Sequence, residues 1–223
     1  MKISEALAPY LNLNTLVHIG AHLGQELNEY LQLDLQQIIY IEADPFLANT
    51  LDNQIKLNNL EHKVKVINSL IGSLDNKTTD FFIYNNLRGS SSIYKPTHEM
   101  HNLYPELSMT DETLSLKSMR LDTLLKMHSV DVKDVDALVL DIQGSEFPAL
   151  IGAGQYLTHP YFIEVEVSIK PIYGGSACFK DIALMLNNLD YVCISPSIPP
   201  HGDVVFQSKS RLLPKNEKQD ILQ

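Results

Sequence analysis

The sequence predicts a doubly wound α/β domain, a mostly parallel sheet with helices on both faces. Two observations carry this. Short, continuous apolar runs with the length of buried strands recur along the chain: LVHIGA at 16–21, IIYIEAD at 38–44, DALVLDIQG at 136–144 and YFIEVEVS at 161–168. Between them the apolar spacing turns helical, and strands that alternate with helices and read as continuous apolar runs belong to parallel sheets buried on both sides.

Taken in order, 16–21 is the first strand, and from Gln25 the apolar residues Leu27, Tyr30 and Leu31 fall at helical spacing. The strand at 38–44 leads into a helix over 45–59, with Pro45 in its first turn and Leu47, Leu51 and Ile55 on one face. VKVINSLIG at 64–72 is a third strand, and TTDFFIYNN supplies a strand paired to something local. Residues 85–120 are polar and read as irregular, with RGSSS and scattered His, Tyr and Pro. A short helix at 121–128 precedes the 136–144 strand, and SEFPALIGAGQYL gives a helix ending in glycines. The strand at 161–168, a helix at 179–189 and strands at 191–195 and 203–209 complete the pattern. The last two are joined through PSIPPHGD without a helix, which predicts an antiparallel hairpin at the sheet edge.

The bulk numbers narrow the function. The chain has 223 residues, 44% hydrophobic, with a mean hydropathy of −0.07, the profile of a folded domain with a full core. Its apolar runs are too short for a membrane span, and the N-terminus does not read as a signal peptide. Cys178 and Cys193 lack a CxxC partner and read as buried free thiols, which fits a cytoplasmic location. The net charge of −10, with no basic cluster, makes nucleic acid an unexpected partner. A single domain over 1–223 is expected, and its oligomeric state cannot be read from these features.

Three stretches carry the chemistry. VHIGAHLGQE, 17–26, ends a strand in a turn with Gly20 and Gly24. A dinucleotide turn would read G-x-G-x-x-G and a phosphate loop would carry a Lys; this turn lacks one glycine and continues into Gln25 and Glu26. An acidic start to the following helix suits a ligand without phosphate, such as S-adenosylmethionine (SAM), with its sulfonium and ammonium charges. Glu42 lies 22 residues after Gly20, at a strand end where a carboxylate can accept from both ribose hydroxyls. In LDIQGSE, Asp141 ends a strand and Gly144 lets the backbone turn closely under a ligand. The loops after the first strand and after this one flank the crevice of a doubly wound sheet. There Asp141, Gln143 and Glu146 would stand by the sulfonium or the acceptor oxygen.

VHIGAHLGQE, IEADPF, SSS and LDIQGSE, in this order, resemble the FkbM-type SAM-dependent methyltransferases from about Leu16 to Asp190, with EVEVS and IYGGSACFKDI similar to the tail of one branch. The resemblance implies a class I methyltransferase, Rossmann-like fold. That fold is a seven-stranded sheet with its last strand antiparallel, and the 81–84 strand is then an addition. It further implies methylation of hydroxyl oxygens on sugars, glycans or polyketide-type natural products. The cofactor-binding set becomes Gly20, Ala21, His22, Gly24, Glu42, Ala43, Ser69, Asp141, Gln143 and Gly144. The catalytic candidates are Asp141, Glu146 and Glu166, with Asp141 first, and Ser91, Ser92 and Tyr173 are expected to bind the acceptor. Residues 85–120 become the acceptor-recognition segment. His18, His22 and Gln143 stand where many members carry Asp, Asn and Glu.

Other readings stay open. His98-Glu99-Met100-His101 has the wrong spacing for a zinc helix. Glu164 and Glu166 share a strand face and could form a metal site with Asp141 or supply a base, although no metal is expected. The alternatives to a methyltransferase are an inactive module of the same fold, which the departures at His18, His22 and Gln143 allow, and a nicotinamide-dependent oxidoreductase, which the missing glycine disfavours.

Overall fold

The computed structural model describes residues 1–212, so the end of the expected 1–223 domain, residues 213–223, lies outside the described residues. The strands are β1 (Leu13–Ile19), β2 (Leu35–Glu42), β3 (Val64–Asn68), β4 (Leu70–Ile71), β5 (Thr78–Tyr84), β6 (Met109–Met119), β7 (Val135–Leu140), β8 (Phe162–Ser168), β9 (Tyr191–Cys193) and β10 (His201–Ser208). The helices are α1 (Ile3–Leu7), α2 (Leu27–Leu31), α3 (Pro45–Leu57), α4 (His98–Leu103), α5 (Leu121–Met127), α6 (Glu146–Ala153) and α7 (Phe179–Asn188). Seven strands form one sheet in the order β3-β2-β1-β7-β8-β10-β9. All neighbours are parallel except β10, which runs antiparallel to both β8 and β9.

Alternation along the strands fills both faces. Val17 and Ile19 of β1, with Leu138 and Leu140 of β7, pack under α5, α6 and α7. Leu16, Ile38, Tyr40 and Val139 point the other way, toward Ile3 and Leu7 of α1, Tyr30 of α2, and Leu51 and Ile55 of α3. Burying a side chain of this size is worth about 1.5–3 kcal/mol, so the paired layers hold the strand ends rigid at the crevice. The chain travels outward from β1 to β3 and then returns to place β7 beside β1. This reversal opens the crevice at the C-terminal ends of β1 and β7.

Three expectations are corrected. Residues 85–120 are not irregular throughout: they contain α4 and the eleven-residue β6, which pairs antiparallel with β5 and parallel with β4 in a second, three-stranded sheet. Most of β6 is exposed, so only Leu114 and Leu116 repeat at strand spacing and the rest reads as polar loop. The run at 64–72 is two strands, because after Asn68 the chain leaves the main sheet for the small one. The thiols of Cys178 and Cys193 are free but only half-buried, since both sit at element ends rather than in the core. No helix among the described residues is long and apolar enough to cross a membrane.

Candidate active site

At the end of β1 the backbone must clear β7. A Cβ on Gly20 would lie 1.7 Å from the Asp141 carbonyl oxygen, and its φ is +89°, so glycine is required twice over. The amide of Gly20 donates to the Ile41 carbonyl and that of Asp141 to the Ile19 carbonyl, which locks the three strand ends together. Glu42 ends β2 at 6% exposure. One of its oxygens accepts from the His22 amide at 2.7 Å and the other from the Asp44 amide at 2.8 Å. Burial pushes its carboxyl above the ordinary range, while the two amides hold it in place. Each oxygen keeps a lone pair for a further donor.

Glu42 forms part of a cleft at the C-terminal ends of β1, β2 and β7. Of the residues named from the sequence, Gly20, His22, Ala43, Ser69, Asp141 and Gln143 line it, and Leu47, Leu70, Ile71 and Phe81 give it an apolar wall. Ala21, Gly24 and Gly144 do not line it. Ala21 is buried against the core, Gly24 packs on Leu51 and Tyr40, and Gly144 backs onto Tyr173 and Ser176.

Over the cleft lies the loop between Tyr84 and Ser92, where Ser92 exchanges two backbone hydrogen bonds with Phe82. Arg88 ties this loop down. Its Nε donates to Asp44 at 2.5 Å, and its two terminal nitrogens grip Glu112 of β6 at 2.8 and 2.9 Å. Asp44 also caps α3 by accepting from the Phe46 amide. His22 adds a second tie: Gln25 donates to its Nδ1, so its Nε2–H donates to the Leu87 carbonyl at 2.9 Å. Sequence reasoning missed Arg88, Asp44 and Glu112 as a group, because only the fold brings them together.

Gln143 stands at the centre with a φ of +55°. Its amide nitrogen donates to Asp141 at 2.6 Å and to Glu166 at 3.0 Å. Its side-chain oxygen accepts from the Tyr173 hydroxyl at 2.6 Å, and its backbone carbonyl accepts from Ser92 at 2.7 Å. Gln143 also lines a second, larger cavity of about 520 Å³, so the two spaces meet at this residue. The larger cavity is walled by residues 103–107, Tyr173, Glu166 and His201.

The three expected catalytic carboxylates take different places. Asp141 lines the cleft and not the larger cavity; burial, then the neighbouring Glu166, hold its carboxyl well above the ordinary range. Glu146 is buried, and one of its oxygens accepts from the amides of Ile142 and Gly144 at 3.0 and 3.1 Å, so it staples the LDIQGSE turn. Glu166 faces the larger cavity. Its second oxygen lies 3.1 Å from His201 Nε2, while His201 Nδ1 lies 2.9 Å from the Ser168 hydroxyl. Burial, with repulsion from Glu146 and Asp203, raises Glu166 well above the usual carboxylate range. Burial lowers His201, so the imidazole is held neutral, donating from Nε2 to Glu166.

Ser92 departs from its expected role. It is 0% exposed, accepts from the Tyr94 amide and donates to Gln143, so it shapes the loop and presents no surface to an acceptor. Ser91 lines the cleft rather than the larger cavity, while Tyr173 lines the larger one. His18 is buried and neutral, its pKa lowered to about 3 by burial; Tyr30 contacts its Nδ1, and its Nε2 has no partner. Glu164 accepts from the Ile3 amide of α1. Among the described residues no group of three His, Cys, Asp or Glu is placed to hold a metal, the His98–His101 stretch included.

The donor set fits SAM. A buried carboxylate, Glu42, ends β2 at the crevice, and Leu47, Leu70, Ile71 and Phe81 supply an apolar wall beside it. Among the described residues Arg88 is the one Lys or Arg lining the cleft, and it is already engaged by two carboxylates, Asp44 and Glu112.

The model of the methyltransferase FkbM domain matches residues 18–193. Among solved structures, the methyltransferase FkbM from Methylobacillus flagellatus KT superposes with a TM-score of 0.53 at 16% identity, over 88% of this chain and 44% of that one. This chain thus spans less than half of that protein's length. The Bacillus subtilis m1A22 tRNA methyltransferase TrmK gives 0.50 at 9% identity, over 92% of this chain and 63% of that one. At these identities the likeness shows the fold, that of the class I methyltransferases. No curated protein sequence matches the chain.

Proposed function

The chain belongs to the FkbM methyltransferase family, and from that premise we propose that it transfers a methyl group from SAM to a hydroxyl oxygen of a sugar, glycan or polyketide-type acceptor. The observation that supports this best is the meeting of two spaces at Gln143: a cleft with a buried carboxylate at a strand end, and a larger cavity holding a second, raised carboxylate.

SAM supplies an electrophilic methyl group on a sulfonium sulfur, which departs as a neutral thioether. The chain's own residues do the rest. Glu42 accepts from the ribose hydroxyls, Ala43 and Ser69 stand beside it, and the 86–91 loop excludes water from above. Asp141 lines the cleft at the sulfonium end, where a bound cation would favour the ionised form that burial disfavours.

A sugar hydroxyl is a poor nucleophile near neutral pH, so a base within hydrogen-bond reach is worth about 10²–10⁴-fold. Of the three carboxylates, Glu166 is the one with this placement. It opens onto the larger cavity, and a carboxyl whose pKa is raised is, once ionised, a stronger base than an ordinary one. Gln143 and His201 each donate to it, one per oxygen, and fix its orientation. Glu166 takes the hydroxyl proton. Residues 103–107 and Tyr173 form the acceptor wall.

Incubation with methyl-labelled SAM and a panel of glycans and polyhydroxylated natural products tests the reading. An alkali-stable methyl ether is the expected product. Label found only on nitrogen or on carboxyl groups contradicts it.

A further inference from the structure

Asp141 borders two spaces. On one side it lines the cleft, and on the other a small chamber of about 70 Å³ between the sheet and α1 and α2. Carboxyls face it from several elements: Glu42 on β2 across the cleft, Glu26 at the start of α2, Glu146 on α6, Glu164 and Glu166 on β8, and Asp203 on β10. The imidazoles nearest it, His18 on β1 and His201 on β10, are held neutral by burial, and the Tyr30 hydroxyl is spent on His18. His22 spends both ring nitrogens on Gln25 and Leu87. The cations are committed elsewhere: Lys2 to Glu29 at the chamber, and Arg88 to Asp44 and Glu112 at the cleft. Among the described residues no other Lys or Arg lines either space.

Two buried carboxyls gripped by one amide repel each other, so one of the pair keeps a proton until a cation arrives. Hydrogen bonds decide which. The Gln143 amide nitrogen gives one N–H to each, at 2.6 Å to Asp141 Oδ1 and 3.0 Å to Glu166 Oε2. Glu166 accepts a second N–H on its other oxygen, from His201 Nε2 at 3.1 Å. With N–H groups on both oxygens, Glu166 is the better carboxylate of the two. Among the described residues Asp141 has an N–H on Oδ1 alone, which leaves Oδ2 to carry the proton. Burial, then the neighbouring Glu166, push Asp141 in the same direction, toward its neutral form.

We infer that Asp141 is protonated in the empty cleft and loses that proton when the SAM sulfonium binds, so that this residue tells the cationic cofactor from its neutral product, S-adenosylhomocysteine. The inference rests on the methyl-transfer reading and deepens it by naming the group that sets cofactor exchange. On binding, the Oδ2–H bond of Asp141 breaks, the proton goes to solvent, and the carboxylate left behind pairs with the sulfonium. During transfer Glu166 takes the acceptor's hydroxyl proton, so the Asp141–Glu166 pair again holds one proton while the sulfur becomes neutral. The cycle thus expels one proton per turnover, as the conversion of a cation and an alcohol into two neutral products requires. Binding that releases a proton strengthens as pH rises through the range where Asp141 titrates in the empty site. S-adenosylhomocysteine carries no sulfonium and does not share this dependence.

The test is calorimetry on the full chain, with SAM and S-adenosylhomocysteine each titrated in buffers of different ionisation enthalpy, which counts the protons released on binding. The two ligands share their adenosine and amino-acid groups, so protons moved by those groups cancel in the comparison. Near pH 7, SAM is expected to release at least about 0.3 proton per site more than S-adenosylhomocysteine, and the ratio of their affinities to rise at least about threefold between pH 6 and 8. In Asp141→Asn both differences are expected to vanish, with S-adenosylhomocysteine binding within about threefold of the parent. Equal proton counts for the two ligands in the parent overturn the inference, and that measurement needs no variant. An excess release that survives in Asp141→Asn overturns it as well, by moving the proton to another carboxyl. If neither ligand binds the parent, the methyl-transfer reading falls, and the inference with it.

Discussion

Glu166 and Asp141 lie on either side of one amide, and the roles proposed for them separate by experiment. Replacing Glu166 with Gln keeps shape and hydrogen-bonding reach but removes the base. Turnover is expected to fall at least tenfold, by the usual worth of general-base catalysis, with SAM affinity unchanged. Asp141→Asn should do the reverse in part, weakening SAM while leaving the acceptor's KM unmoved. Steady-state kinetics with a cofactor titration distinguishes the two; equal turnover in Glu166→Gln and the parent returns the base to Asp141 or Glu146. Much of this site was legible as residues. Gly20, Glu42 and Asp141 are marked by where apolar runs end, because strand C-termini in a doubly wound sheet converge on one crevice. His201 was not legible. It opens β10, the antiparallel strand between β8 and β9, and its pairing with Glu166 exists only through the register that sets Asp203 opposite Glu166. Ser92 carried the opposite problem: a serine run looks solvent-facing, yet its hydroxyl is consumed by Gln143.

The element that governs access is the loop between β5 and α4. It is held by Arg88 reaching Asp44 at a helix N-terminus and Glu112 on β6, with His22 as a lesser tie. The Asp44 carboxylate is buried, so losing Arg88 would leave an unpaired buried charge, a greater cost than the ~0–1 kcal/mol typical of breaking an exposed pair. Arg88→Ala is expected to free the loop. Hydrogen exchange at residues 86–91 should speed up at least tenfold while β7 and β8 keep their protection. SAM should both enter and leave faster. Unchanged exchange in that segment would show that His22 and the Ser92–Phe82 pairing suffice alone. At this scale the sequence was a good guide wherever an element has a buried face: α3 appears with Pro45 at its start and its three apolar residues inward. It failed for β6, whose partners are a neighbouring hairpin strand and solvent. A strand that buries little carries little hydrophobic period. The split of 64–72 into β3 and β4 was also hidden, since a change of sheet leaves an apolar run unbroken.

Across the whole molecule, acidic groups crowd the C-terminal edge of the sheet, and this gives stability a defined pH dependence. Burial, followed by repulsion from Asp203, raises Glu164 to about 8 from an ordinary value of 4.5. A carboxyl raised in the folded state adds stability that is complete below its unfolded pKa and is lost as pH climbs through the folded one. Glu146 and Glu166 shift in the same direction. His18, lowered to about 3, has the opposite slope, but its contribution is complete once pH passes its ordinary 6.5. Stability should therefore decline between about pH 6.5 and 8, by about 1–2 kcal/mol from Glu164 alone. Glu164→Gln, which can still accept from the Ile3 amide, should flatten that slope. Denaturant midpoints across this range check it, and a parent protein that grows more stable toward pH 8 contradicts the account. The same excess of negative charge extends to the net −10 of the chain and agrees with a cleft for a cationic cofactor.

The central claim is that the cleft at the β1–β7 switch point holds SAM with Glu42 on the ribose. Titrating SAM calorimetrically into the parent chain and into Glu42→Ala addresses it most directly. The account predicts one site per chain in the parent. It predicts a loss of about 1.5–3 kcal/mol in the variant, the worth of hydrogen bonds to a charged acceptor, or roughly 10- to 150-fold in affinity. Equal affinity in the two proteins, or no binding to the parent, would contradict it.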